Sequence, residues 1–409
     1  MILFPEGKPT HRETFEEYRA AGGYQAVERN PDPETILKQI AGSGLRGRGG
    51  AGFPVGRKWG ITRETPVHPR YLVCNAGEDE PGSFKDRALI EHRPHLVLEG
   101  MVLAARAIEA EQAYLYLNET YQDCRDRFTQ ALGEAESAGY IGLLKVTIQR
   151  APTVYVAGED SATLEVIEGR EPKPRQKPPY PATAGLFGNP TVVNNVETLA
   201  NVGPIVRNGA DWFRKLGTPD SPGTMLFCLG AEMNRPGAYE LPIGTPLRHL
   251  FEDLGGGLKG GAKLKGFLPG GPSCGFLSPA FLDIPLDPDS CRKAGTTLGC
   301  GVMRFYGEGQ CMVEEAAGLA AFFARESCGQ CPACRMETSM LAMTLDRVQQ
   351  GKGDAGLFDQ CRMVLDFNRG KGYCALINMP GPPVMSAIQL FRSDFDHHLQ
   401  YGRCPGSPA

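Results

Sequence analysis

The spacing of apolar residues along this chain changes character twice. Up to about residue 225, short runs rich in β-branched and aromatic residues alternate with longer stretches of helical period. "RYLVCNA", "AYLYLN" and "LLKVTIQRA" are expected as strands. "ALIEHRPHLVLEGMVLAARAIEA" and "TYQDCRDRFTQALGEAESAG" are expected as helices, the second stopping at a glycine. Strands alternating with helices predict an α/β layer around a largely parallel sheet.

From 226 to 305 the runs shorten. "TMLFCLG", "GAYELPIGTPL" and "KLKGFLPGG" read as strands around one short helix, "PLRHLFEDLGGG", an order that fits a ubiquitin-like β-grasp module. From 306 to 409 four amphipathic segments follow: "CMVEEAAGLAAFFARES", "METSMLAMTLDRVQQG", "DAGLFDQCRMVLDFN" and "PPVMSAIQLFRSDFDHHL". They predict a four-helix bundle, with the methionines of the second segment filling its core. Three domains, 1–225, 226–305 and 306–409, suit a chain of 409 residues.

Composition excludes several classes of function. A formal net charge of -4 gives no footing for nucleic acid or an anionic membrane surface. No apolar stretch approaches the ~18 residues of a transmembrane span, so no membrane insertion is expected. "MILFPEGKPT" lacks the basic and apolar regions of an export signal. Thirteen cysteines in such a chain are expected to be reduced thiols in a cytoplasmic setting. Cys74, Cys124, Cys228, Cys361 and Cys404 stand alone and read as small core or surface residues.

"ESCGQCPACR" is different: Cys328, Cys331 and Cys334 lie two residues apart in one loop. Zinc sites generally use two separated Cys-x-x-Cys pairs or add histidines, and no second pair follows. The triplet instead has iron–sulfur spacing, three thiolates at the corner of a [4Fe–4S] cluster. Cys374, in the inter-helix loop "KGYCALINMPG", is the leading fourth ligand; Cys361, inside an amphipathic segment, is the rival and reads as core. Structural zinc is the alternative. Such a cluster moves single electrons, which implies a two-electron partner.

"GLRGRGGAGFP" contains a formal G-x-G-x-x-G at Gly47, Gly49 and Gly52, but a helical stretch capped by Asp precedes it. The ordinary Rossmann fingerprint requires a strand there, so that assignment fails. The glycines still allow a backbone to approach a flat or phosphorylated ligand, with Arg46, Arg48, Arg57 and Lys58 as possible cations. A solvated basic loop is the plainer reading. Asn75, Glu78, Asp79 and Glu80 follow a strand, where open α/β sheets bind ligands. "YVAGEDSATLEV" reads as strand, glycine, then Glu159 and Asp160 opening a helix, and "PTVVNNVET" adds the amides Asn194 and Asn195. Acids and amides around a glycine floor suit a flavin and a dinucleotide.

In this order the motifs resemble the NADH-binding flavoprotein subunit of respiratory complex I and its relatives in NAD-linked hydrogenases and formate dehydrogenases. The resemblance runs from "GLRGRGGAGFPVGRKW" through "NAGEDEPGSFKDR", "YVAGEDSATLEVIEGREPKPRQKPPYPA" and "FGNPTVVNNVET" to "ESCGQCPACR" and "CAL". It implies a Rossmann-like FMN-binding α/β domain, a β-grasp module and a helical bundle carrying a [4Fe–4S] cluster. Gly47, Gly49, Lys58, Asn75, Gly158, Asn194 and Asn195 would bind FMN, Gly50, Glu78, Tyr155 and Glu159 would join the cofactor site, and Asp160 would lie near the dinucleotide ribose. Phe53, Glu80, Lys177 and Tyr180 would line the dinucleotide site, with Glu80 positioning the nicotinamide and no acid or base required. The implied activity is that of a diaphorase subunit: hydride exchange between NAD(P)(H) and FMN, then single electrons to or from the cluster. A separate thioredoxin-like [2Fe–2S] subunit and further redox subunits are the implied partners.

Gly77, Ala157, Asp160 and Ile61 depart from the residues usual in that family, an acid, Cys, Glu and an aromatic. They motivate a second reading, a non-catalytic relay or scaffold subunit that has lost nucleotide binding. The shorter Asp160 also leaves NADP(H) open beside NAD(H).

Overall fold

The computed structural model describes residues 1–404. Four strands, β1 (Tyr71–Ala76), β2 (Gln112–Asn118), β3 (Lys145–Ala151) and β4 (Thr191–Asn195), form an all-parallel sheet in the order β3-β2-β1-β4. Asn75 on β1 stands in register with Asn195 on β4, so two amides share the C-terminal edge of the sheet. The helix Pro94–Ile108 packs on this sheet and is buried on every face except at Arg106, which explains its nearly unbroken apolar sequence.

That helix does not continue the one before it. The expected single helix over 88–110 is two, Lys85–His92 and Pro94–Ile108. Pro94 has no N–H to donate, and Arg93 before it leaves the helical region at φ -136°, ψ 55°. The expected strand at "YVAG" is instead a single 3₁₀ turn, Tyr155–Gly158, leading into the helix Asp160–Ile167. Its glycine and the capping Glu159 end any extended pairing there.

A second, mixed sheet holds β5 (Thr224–Leu229), β6 (Gly237–Pro242), β7 (Leu264–Leu268) and β8 (Val302–Gly307) in the order β6-β5-β8-β7. β5 and β8 run parallel at its centre, with antiparallel partners outside. β8 extends past residue 305, and the short helix His249–Leu254 is wound wide, Gly255 N–H reaching Leu250 O at 2.9 Å. Glu240 on β6 accepts the backbone N–H groups of Ile2, Leu3 and Phe4, so the N-terminal segment is tied to this sheet.

Beyond it lie five helices, Met312–Glu326, Pro332–Gln349, Gly356–Asn368, Gly381–Leu390 and Arg392–Tyr401. The last expected segment is two helices, broken at Phe391 (φ -111°, ψ 35°), whose ring turns into the core. Leu341, Leu345 and Val348 make that core with Val313, Ala316, Phe358 and Phe395. The methionines do not fill it as expected: Met336 and Met343 are 47% and 60% exposed, and only Met340 packs against it. The leucines already occupy the inward stripe of that helix.

Candidate functional site

The glycine loop leaves the helix Pro33–Ser43 through Gly44 (φ 71°) and enters the helix Val55–Glu64. Gly47 N–H donates to Phe53 O at 2.9 Å, and Arg46 Nε to Gly52 O at 3.0 Å, closing the loop on itself. A Cβ at Gly49 would stand 3.2 Å from Asn195 Cβ. The loop backbone therefore lies against the end of β4, closer than most side chains tolerate. Asn75 donates to Gly158 O at 2.9 Å and accepts from Gly77 N–H at 3.1 Å, and a Cβ on Gly158 would come within 3.1 Å of Gly77 O. Gly47, Gly49, Asn75 and Gly158 thus make one glycine-lined floor at the strand ends.

Several expected ligand-facing groups already serve the protein. Glu78 takes the N–H groups of Asp86 and Arg87 at 3.0 Å and the Ser83 hydroxyl at 2.5 Å, so its carboxylate starts the helix Lys85–His92. Asn194 accepts from the Trp59 indole at 2.7 Å. Asn195 caps the helix Val196–Ala200, accepting from Glu197 N–H at 3.0 Å, and donates to Asp86 at 2.5 Å. Arg48 is buried, donating to Pro222 O at 3.1 Å away from the floor; burial lowers its pKa to about 10, with Glu197 opposing. Beneath them Lys85, wholly buried, pairs with Asp86 at 2.8 Å and Glu197 at 2.9 Å.

Other groups face the floor. Lys58 Nζ reaches Val193 O at 3.0 Å, and burial lowers its pKa against the opposing charge of Asp160. Lys177 donates to Glu159 at 2.6 Å and Asp160 at 2.5 Å. Glu159 also caps its helix through Ser161 and Ala162 N–H at 2.9 Å. Burial raises Glu159 to about 6; Asp160 is held low despite burial, by the Glu159 hydrogen bond and Lys177. Phe53 and Tyr180 are exposed, with the Arg57 guanidinium 5.8 Å from the Phe53 ring centre.

Burial pushes Glu80 up to about 7, against a hydrogen bond from Tyr155. Asp79 is pushed up to about 6 the same way; one of its oxygens accepts from Asn118 at 2.8 Å and the other, though buried, has no partner. The buried Tyr116 hydroxyl is also unpaired. Unsatisfied buried polar atoms are costly, and a pair near the strand ends suits a polar ligand.

Cys328, Cys331, Cys334 and Cys374 line one hollow, with Ser327, Tyr373, Leu376, Ile377 and, from the α/β region, Val156 and Pro174. Cys331 caps the helix Pro332–Gln349, which puts Cys334 in its first turn. Cys374 comes from the loop before the turn Ala375–Asn378, as expected, while Cys361 is 1% exposed in the helical core. Burial raises the Cys334 thiol and takes Cys374 to about 12. A hollow lined by four sulfurs, with no carboxylate or histidine in its wall, fits a thiolate-ligated metal centre such as a [4Fe–4S] cluster.

Sequence reading missed the contribution of the second sheet. A Cβ at Gly271 (φ 85°) would stand 2.7 Å from Glu80 Oε1, and Gly50 faces the backbone of Gly299 and Cys300. The pairs "PGGP" and "LGCG" were the available signal, since close backbone approach selects glycine.

Comparison with known proteins agrees with this geometry. Residues 40–204 match the Nuo51 FMN-binding domain, 227–277 the SLBB domain, and 314–398 the NADH-ubiquinone oxidoreductase-F iron-sulfur binding region. The NADH-quinone oxidoreductase-F protein 2 of Rhizobium meliloti (strain 1021) is 41% identical, over 95% of this chain and 95% of that protein. The NADH-quinone oxidoreductase-F protein of Escherichia coli (strain K12) is 38% identical, over 93% of this chain and 89% of that one. A chain of the H2-reduced NAD+-reducing [NiFe]-hydrogenase superposes with a TM-score of 0.88 at 37% identity, covering 96% of this chain and 68% of its own length.

In class, then, this is an NADH-binding FMN subunit with a [4Fe–4S] region, a diaphorase component of a larger oxidoreductase. The chain belongs to the NADH-quinone oxidoreductase-F family. Among the described residues no helix is long and apolar enough to cross a membrane.

Proposed function

We propose that Gly47, Gly49, Gly50, Lys58, Asn75 and Gly158 hold FMN, and that Cys328, Cys331, Cys334 and Cys374 ligate the cluster. Phe53, Glu80, Lys177 and Tyr180 receive NADH, with Glu159 and Asp160 setting the charge beside them. Bound there, FMN supplies hydride acceptance from NADH and release of electrons one at a time. The chain's own part is placement: the glycines allow backbone contact, Lys58 offers positive charge, and Tyr155 holds Glu80.

The observation that carries this reading is the turn Tyr155–Gly158. Its Gly158 carbonyl is bonded to Asn75 on the floor, while Val156, two residues away, lines the cysteine hollow. Two residues span at most roughly 7 Å, so the two proposed centres share a wall. Tyr155 packs into the same wall, its hydroxyl 3.6 Å from Met379 Sδ. Glu78, Asn194 and Asn195 belong to the same proposed cofactor site and also brace the floor through their bonds to Asp86, Trp59 and Glu197.

The finer architecture is part of the proposal. Parallel first and last strands at the centre of the second sheet, with a short helix between, support a β-grasp reading of 226–305. The first and third domains are taken as 1–225 and 306–409 to within two residues, since β5 begins at Thr224 and β8 ends at Gly307, and the third is an elaborated four-helix bundle with its last helix broken. Exposed Phe53 and Tyr180 mark an open dinucleotide side. A thioredoxin-like [2Fe–2S] protein is the proposed electron partner, in a cytoplasmic assembly. Titrating NADH into cluster-replete protein reconstituted with FMN tests the reading. Bleaching of the flavin absorbance is expected; an unreduced flavin would leave only the scaffold alternative.

A further inference from the structure

Cys404, which reads in sequence as isolated, is not alone. Cys311 Sγ lies 3.2 Å from His398 Nε2, and Cys404 Sγ lies 3.3 Å from the same nitrogen. The three ligand atoms all fall within 4.8 Å of one another. They converge from 87 and 6 residues apart, so no Cys-x-x-Cys spacing announces them.

The imidazole is oriented from behind. His398 is 4% exposed, and its Nδ1 lies 3.1 Å from Gln349 O. A carbonyl only accepts, so Nδ1 carries the proton and Nε2 turns its lone pair toward the sulfurs. This is the backing that metal-ligating histidines ordinarily have. One lone pair can accept one S–H, yet two sulfurs approach it equally. As hydrogen bonds the arrangement leaves one thiol only the neighbouring sulfur, a weak acceptor, to turn to; a cation between the three atoms satisfies all of them.

The distances agree with that. With metal–sulfur bonds of about 2.3 Å and a metal–nitrogen bond of about 2.05 Å, a tetrahedral zinc ion places N and S about 3.5 Å apart and the two sulfurs about 3.8 Å apart. The observed N–S separations need only a few tenths of an ångström of adjustment, and the two sulfurs lie within the 4.8 Å that the three atoms share. Cys311 Sγ also accepts Glu314 N–H at 3.3 Å, as the cap of the helix Met312–Glu326, and a helix N-terminus favours a thiolate. Two thiolates neutralise a divalent ion, so the half-buried site keeps no net charge. The nearby Lys265–Asp394 pair, 2.6 Å apart, compensates itself.

We propose that Cys311, His398 and Cys404 form a second metal site that takes zinc, with solvent in the fourth position. It is separate from the cysteine hollow and does not depend on the cluster assignment. The ion fastens the chain beyond the helix Arg392–Tyr401 to the start of the helix Met312–Glu326. The far end of that helix delivers Cys328, so the site clamps the frame that holds the loop.

Metal analysis of the full chain, purified without chelators under reducing conditions, is expected to find about one zinc per chain beside the iron. Cys404→Ala should lose the zinc and keep iron and flavin, which also shows that the variant has folded. Cys328→Ala should lose iron and keep zinc. Cobalt(II) offered in place of zinc should give thiolate-to-cobalt absorption in the parent chain and none in Cys404→Ala. The proposal is overturned by a parent chain that neither contains zinc nor binds added zinc chloride, by undiminished zinc in Cys404→Ala, or by a Cys311–Cys404 disulfide in protein kept reduced.

Discussion

The Lys177 ammonium lies 2.5 Å from the Asp160 carboxylate, at the mouth of the helix Asp160–Ile167. Glu159 shares the same ammonium at 2.6 Å, and the Lys58 charge also opposes Asp160, so both acids and both cations are already engaged with one another. In the proposed dinucleotide site a 2′-phosphate would meet two carboxylates and no free cation, and NADH is therefore expected over NADPH. Asp160→Asn removes one acid and frees Lys177 for phosphate. Its NADH:NADPH ratio of kcat/KM should fall by about tenfold, the equivalent of ~1.4 kcal/mol. An unchanged ratio would place the ribose elsewhere.

Glu80 gives the site a pH dependence. Its carboxyl is raised from an ordinary 4.5 to about 7 by burial, so the folded protein keeps a proton the unfolded chain has released. Its contribution to stability is thus full below 4.5, falls as pH rises from 4.5 toward 7, and is flat above. The diaphorase rate with NADH should show an inflection near 7 in kcat/KM, and Glu80→Gln should remove it. Persistence of the inflection in that variant would assign it to another group.

Gly77, where the family usually has an acid, is explained by Tyr116. A Cβ at Gly77 would stand 3.0 Å from Tyr116 Cε1, so a side chain there requires the ring to shift by a few tenths of an ångström. Gly77→Asp should lower the apparent melting temperature, with an overpacking cost of roughly 1–3 kcal/mol. Adding Tyr116→Leu should recover most of it, a coupling that two independent sites would not show.

Cys374 and Cys361 are separable by metal content. Cys374→Ser is expected to lose most iron and sulfide while FMN binding persists, because the flavin floor takes no residue from that loop. Cys361→Ala should keep its iron and lose only packing, about 1 kcal/mol for a small buried side chain. The reverse pattern, in iron assays of the two purified variants, would exchange their roles.

Local chemistry was legible before any coordinates. The cysteine triplet, the glycine loop and the acid run after β1 are contiguous, and their meaning lies in spacing that chain connectivity imposes. That Cys361 is a core residue was also legible, since a residue on the apolar stripe of a helix belongs to its core. The internal partners of Glu78, Arg48, Asn194 and Asn195 were not legible, because side chains of these types suit a nucleotide and a distant part of the chain alike. What those side chains actually touch includes Pro222 for Arg48 and Trp59 for Asn194, 174 and 135 residues away.

Taken alone, then, the sequence determined most element types, though not the turn at Tyr155–Gly158, together with the parallel layer and the kinds of atom available for redox chemistry, because periodicity and short motifs act over a few residues. Tertiary structure decided which of those atoms remain free. It joined the floor to the cysteine hollow through one four-residue turn, set Gly271 against Glu80, and gathered Cys311, His398 and Cys404 around one point. Such meetings depend on how packed surfaces exclude water and close over long loops, and no local pattern encodes that.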